Sequence, residues 1–95
     1  MGLAETQART LMLTRYKSDL EFGMQMICQK RTVLCYQAQA AAEDYPELAA
    51  QYHLMDKALE TELKTLETQH KIVSTEIEST NKIVEDHATK DFKYA

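Results

Sequence analysis

The residues of this chain that could take part in chemistry are its histidines, cysteines and acids. Glu67 and His70 form one Glu-x-x-His pair, and His87 lies four residues before Asp91, so each pair could share a helix face. A di-metal helical bundle needs two Glu-x-x-His motifs and two further glutamates that point inward. One chain supplies a single motif, so a metal site would require a second copy. We therefore predict no catalytic residue, no metal ligand and no cofactor, and a protein that is not an enzyme.

The two cysteines, Cys28 and Cys35, are separated by seven residues. On one continuous helix this separation corresponds to a rise of about 10.5 Å, which is too long for a disulfide. We expect both side chains to be small buried hydrophobes, as free cysteines usually are. A disulfide between copies of the chain, through either cysteine, is the alternative.

The composition predicts the elements that hold these residues. The 95-residue chain is 44% hydrophobic and 27% charged, with only two glycines and one proline. So few turn formers argue against a many-stranded β fold, and the abundant Ala, Leu, Glu, Lys and Gln favour helix. We predict an all-α fold in which two long helices form an antiparallel helical hairpin, a coiled coil broken near Pro46. The single domain spans residues 1–95, with helix one at about 4–42, a turn at about 43–44 and helix two at about 45–90.

The predicted turn surrounds the only proline. Asp44 followed three residues later by Glu47 fits a capping box, and Pro46 fits the first turn of a helix, where its missing N–H has no consequence. Proline also disfavours helical geometry at Tyr45. Helix one should therefore end before this segment, and helix two should begin within it. One continuous kinked helix is the alternative.

A heptad repeat of apolar residues predicts how the two helices pack. In helix one the repeat runs from Leu13 to Ala41, and in helix two from Tyr52 to Val84. The predicted intrachain contacts are made by Leu13, Leu20, Ile27, Leu34, Leu59, Leu63, Leu66, Val73, Ile77 and Val84. Polar residues within these seams, among them Arg31 and His70, should specify the alignment of the helices.

Helix one also carries apolar residues outside its heptad seam. A thin two-helix molecule buries little surface for its size, so association with other chains would supply much of its buried area. The predicted contacts between copies are Leu11, Phe22, Met26, Val33, Phe92 and Tyr94. We expect a homo-oligomer, with an open polymer and a closed bundle as alternatives, and a protein partner as a further possibility.

The charge distribution excludes some partners. Residues 1–43 carry five bases and four acids, whereas residues 44–95 carry six lysines and eleven acids. An acidic protein without a basic stripe is a poor candidate for binding nucleic acid or an anionic membrane surface. No stretch approaches the ~20 apolar residues of a membrane-spanning helix, and the N-terminal residues lack the apolar core of a signal peptide. We expect no membrane insertion, and a protein that is cytoplasmic or exported without a cleaved signal.

The layout resembles a known architecture. Two long helices with a single break at Asp44-Tyr45-Pro46 are similar to the needle and inner-rod subunits of type III secretion systems and to the paired terminal helices of flagellin-like axial proteins. The break is simpler than the loop of needle subunits, and helix two is more regularly heptad. The resemblance implies export through a narrow channel and polymerisation into a helical tube, with both termini buried in neighbouring subunits.

Two functional hypotheses follow from these patterns. In the first, the chain is a structural subunit that self-assembles through its coiled-coil helices into a filament or tube. In the second, it is a cytosolic coiled-coil adaptor or export chaperone that forms a small bundle and binds a partner helix. A discrete particle with a saturable partner would favour the second.

Overall fold

The chain folds as an antiparallel hairpin of two long helices. The computed structural model describes the backbone of residues 2–94 and the side chains of residues 2–90. Helix α1 spans Leu3–Ala41 with 39 residues, and helix α2 spans Pro46–Tyr94 with 49 residues. The described residues contain no strand, and the molecule is a rod of 75 × 15 × 15 Å. The predicted all-α hairpin is therefore confirmed, and the single kinked helix is excluded.

The two helices pack along the predicted heptad seams. Ion pairs show their antiparallel register, because Arg31 contacts Asp56 nearer the turn and Arg9 contacts Glu76 farther from it. The buried apolar residues of the seam are Leu20, Ile27, Leu34, Ala38, Ala41, Ala49 and Val73. The spacing of three, four or seven residues between those of α1 keeps them on the side that faces α2.

The residues predicted to pack within the chain line this seam to different depths. Leu20, Ile27, Leu34 and Val73 are buried. The half-buried members are Leu13, Leu59, Leu63, Leu66, Ile77 and Val84. Two helices cannot enclose a side chain on every side, so partial exposure at this seam is the expected result of a rod one layer thick.

The turn differs from its predicted chemistry. Helix α1 ends at Ala41, residues 42–44 form the turn, and α2 begins at Pro46. The carbonyl of Tyr45 accepts the N–H of Ala49 at 3.0 Å, so Tyr45 and not Asp44 precedes the first helical residue. In the described part of the chain no side-chain hydrogen bond involves Asp44. The predicted capping box is therefore wrong, because proline at the first helical position places Asp44 one residue too early.

Gly23 lies where α1 approaches α2. A methyl group added at Gly23 would meet Cδ1 of Leu66 at 3.4 Å, which is close to ordinary van der Waals contact with a flexible side chain. Alanine is favoured over glycine in a helix by about 1 kcal/mol.

We therefore expect Gly23→Ala to stabilise the hairpin by about 1 kcal/mol, which corresponds to a rise in Tm of about 4–8 °C for a domain of this size. Circular dichroism melting at a dilute, fixed concentration would measure it. A lower Tm would mean that α1 and α2 need the close approach that only glycine allows at this point.

Candidate docking surface

The antiparallel register gives the hairpin two broad faces of different character. One of them, here called the groove face, exposes Met12, Met26 and Val33 of α1 and Leu48 and Met55 of α2. Within each helix these residues are separated by seven or fourteen positions, so they form one stripe per helix on the same side of the seam. The antiparallel pairing brings the two stripes side by side. The face is apolar over much of its length.

An open groove of about 670 Å³ lies at the centre of this face, between the two helices. Its walls include Met26 and Val33 of α1 and Met55 of α2, and Leu34 and Leu59 of the seam also line it. The groove is therefore continuous with the contact between the helices. Two further apolar depressions lie along the same face, one beside Met12 and one beside Leu48.

Two opposite charges at or beside the groove have no partner among the described residues. Lys30 is the one charged residue that lines the groove. Glu62 lies seven residues after Met55 and fourteen before Glu76, and so belongs to the same stripe of α2. Both side chains are exposed, and neither forms an ion pair in the described part of the chain. By contrast, Arg9 and Glu76 on this face are 3.6 Å apart.

The opposite broad face is polar and holds most of the contacts between charged side chains. Nε of Arg31 donates to Oδ1 of Asp56 at 2.7 Å, a second guanidinium nitrogen reaches Oδ2 at 3.3 Å, and Glu60 lies 3.9 Å away. Nε2 of His70 is 2.9 Å from Oε1 of Glu21 across the hairpin. His70 therefore contacts a carboxylate of the other helix. In the part of the chain whose side chains are described, no three His, Cys, Asp or Glu side chains are placed to hold a metal ion.

Cys28 and Cys35 are both exposed, so the prediction of two buried thiols is wrong. Each cysteine follows a buried seam residue, Ile27 or Leu34, by one position. One residue rotates the side chain by about 100° around the helix and out of the seam. The heptad pattern contains this information, whereas the general tendency of cysteine to be buried takes no account of its position on the helix.

A third apolar surface, the outer edge of α1, faces away from α2. Its members Phe22 and Tyr36 are 65% and 69% exposed, and Leu11, which is 72% exposed, lies beside it. Phe22 and Tyr36 are two heptads apart, on the side of α1 opposite to the seam. Helix α1 is therefore apolar on the seam, on the groove face and along the outer edge.

The six residues predicted to contact other copies are distributed over these surfaces. Met26 and Val33 lie on the groove face, whereas Leu11 and Phe22 lie on or beside the outer edge. The side chains of Phe92 and Tyr94 lie outside the described residues. Sequence reasoning missed Lys30, Leu48 and Glu62, because the two stripes become one surface only after the register of the helices is known.

The Arg31–Asp56 ion pair makes the stability of the hairpin sensitive to acid. The hydrogen bond from Arg31 lowers the pKa of Asp56 below its ordinary value of 3.8. At pH values near and below 3.8, the unfolded chain therefore binds more protons than the folded chain. The free energy of unfolding consequently falls as the pH falls through the lowered pKa of Asp56.

Replacing Asp56 with asparagine should lower Tm by a few degrees at pH 7 and remove part of the loss of Tm as the pH falls below about 5. Asp19→Asn is the matched control, because Asp19 is exposed and forms no ion pair among the described residues. Parallel Tm–pH profiles for wild type and Asp56→Asn would contradict the assignment. Circular dichroism melting across this pH range gives the profiles.

The described residues include no helix with an apolar stretch long enough to span a bilayer. The exposed apolar residues of the described chain include those of the groove face and of the outer edge of α1. Comparison of the chain with protein-family models, with curated proteins and with solved structures finds no match.

Proposed function

We propose that this protein is a non-enzymatic structural subunit that self-assembles side by side through its helices into a filament or tube. The observation that carries the proposal is that α1 exposes apolar side chains on two separate surfaces. Met26 and Val33 lie on the groove face, and Phe22 and Tyr36 lie on the outer edge. A subunit with two such surfaces can contact two neighbours at once, which an extended assembly requires.

The amount of exposed apolar surface supports the proposal. Large apolar side chains that are more than half exposed include Leu11, Met12, Phe22, Val33, Tyr36, Tyr45, Leu54, Met55 and Ile72. Single exposed apolar residues are common on soluble proteins, but contiguous apolar patches usually mark an interaction site. Met12 and Val33, and likewise Phe22 and Tyr36, are separated by multiples of seven residues, and this heptad spacing suits contacts between parallel rods.

A second function is favoured by the groove itself. Its two methionines, Met26 and Met55, are flexible side chains of the kind that line adaptable binding surfaces. A hydrophobic groove between two helices is a common site for an amphipathic helix of another protein. On this hypothesis the chain is a coiled-coil adaptor or export chaperone, and a partner helix covers the groove face.

Negative-stain electron microscopy over a concentration series, together with light scattering of the same samples, tests the structural function. We expect particles that lengthen with concentration at constant width. Small particles of one size at every concentration would overturn the proposed polymer. They would favour the adaptor if a helical partner then bound with one-to-one saturation.

A further inference from the structure

We propose that two copies of this chain pair through their groove faces, with their turns at the same end, so that Lys30 of each copy meets Glu62 of the other. This inference rests on the proposed function and specifies the first contact of the assembly. The pair has a twofold axis parallel to the rods. It forms a four-helix bundle in which α1 of each copy lies against α2 of the second copy.

An occupant of the groove would continue the packing of the seam. Leu34 and Leu59, which belong to the contact between α1 and α2, also line the groove. A second hairpin placed over it covers these residues with the same heptad spacing that already pairs α1 with α2. In this arrangement Val33 lies over Met55 and Ala58 of the second copy, which are apolar. The contact is therefore an extension of the coiled coil to four helices.

The charges on the groove face select the second copy as the occupant. Arg31, the residue after Lys30, reaches Glu60 of α2, so Lys30 and Glu62 lie within about one helical turn of the same level along the rod. They stand on different helices and are unpaired in the described structure. The twofold axis places Lys30 over Glu62 of the second copy and the reciprocal pair beside it. Four charges of alternating sign then meet at one level.

The opposite orientation, with the turns at opposite ends, is disfavoured by the same charges. It would place α1 against α1 and α2 against α2. If that pair were centred on the groove, Lys30 would face Lys30 of the second copy, and like charges at close range oppose association. It would also leave part of each 75 Å rod uncovered, whereas rods with aligned turns overlap along their whole length.

Charge reversal between two chains tests this pairing. In Lys30→Glu all four charges of a pair are negative, and in Glu62→Lys all four are positive. We expect each variant alone to associate about a hundredfold more weakly than wild type. An equimolar mixture should recover association, because the glutamate introduced at position 30 of one variant then meets the lysine introduced at position 62 of the other. Sedimentation velocity gives the association, and circular dichroism verifies that each variant remains as helical as wild type.

Recovery in the mixture supports the proposed contact. If the substitutions acted only within each chain, mixing the two variants would not restore association. If wild type associates but the mixture stays as weak as each variant alone, the pairing is overturned and the structural function stands. If either variant alone associates as wild type does, these two charges do not meet and the pairing is again overturned. Wild type that is monomeric at every concentration would overturn the pairing and the structural function together.

Discussion

Leu20→Ala is expected to lower the free energy of unfolding of the hairpin by about 3 kcal/mol, because the substitution leaves a cavity in the seam. Leu20 is 6% exposed and belongs to the small set of buried apolar residues. Native domains are stable by only about 5–15 kcal/mol, so the loss would remove a large part of the total. Urea unfolding followed by circular dichroism, at a concentration where the chain is monomeric, measures the change.

Leu11→Ala is the matched control for this prediction. It makes the same chemical change on the same helix, at a residue that is 72% exposed. Surface substitutions of this kind usually change stability by less than about 0.5 kcal/mol. Similar losses for the two variants would contradict the placement of the seam.

The second large effect concerns association and not folding. We expect Val33→Asp to weaken pairing by at least about a hundredfold, because a carboxylate on the groove face would lose its water without gaining a partner. Phe22→Asp should act at a different stage, since Phe22 lies on the outer edge. Pairs of hairpins should still form in Phe22→Asp, but they should not grow into longer particles.

Gln25→Asp is the control for both variants. It adds the same charge to an exposed position of α1 between Phe22 and Val33 that is neither on the seam nor among the residues lining the groove. All three variants should keep the Tm of the monomer, because none of the replaced side chains is buried. Sedimentation velocity and electron microscopy distinguish monomers, pairs and long particles. If all three variants assemble like wild type, neither surface is a contact between copies.

The heptad pattern and the single proline together were sufficient to predict the hairpin. Ile27 and Leu34 recur with the period that keeps a side chain on one side of a coiled coil, and burial against α2 follows from that period. The proline located the turn because it cannot continue α1. These predictions depend on backbone geometry that repeats along the whole chain, and many residues support each of them.

Two local details were harder to predict because each depends on a shift of one residue. The capping box at Asp44 required α2 to begin one residue earlier than it does. Cys28 would be buried only if it lay on the same side of α1 as Ile27, but it is the next residue and lies on a different side. The groove face required residues of both helices to be brought together, such as Val33 and Met55. Which residues of α1 and α2 are neighbours is known only once the turn has set the register of the two helices.

The partly buried Arg31 side chain helps to restrict α1 and α2 to one alignment. A seam built of repeating leucines has several nearly equivalent alignments, each displaced by seven residues. Sliding α2 by one repeat would move Arg31 from Asp56 to the level of Leu63 or Ala49, where no carboxylate occupies the seam position. The guanidinium would then lose its bidentate partner, and Asp56 would face an apolar layer. The Arg31–Asp56 ion pair thereby stabilises the native alignment relative to alignments displaced by seven residues. The aliphatic layers alone would give these alignments similar stabilities.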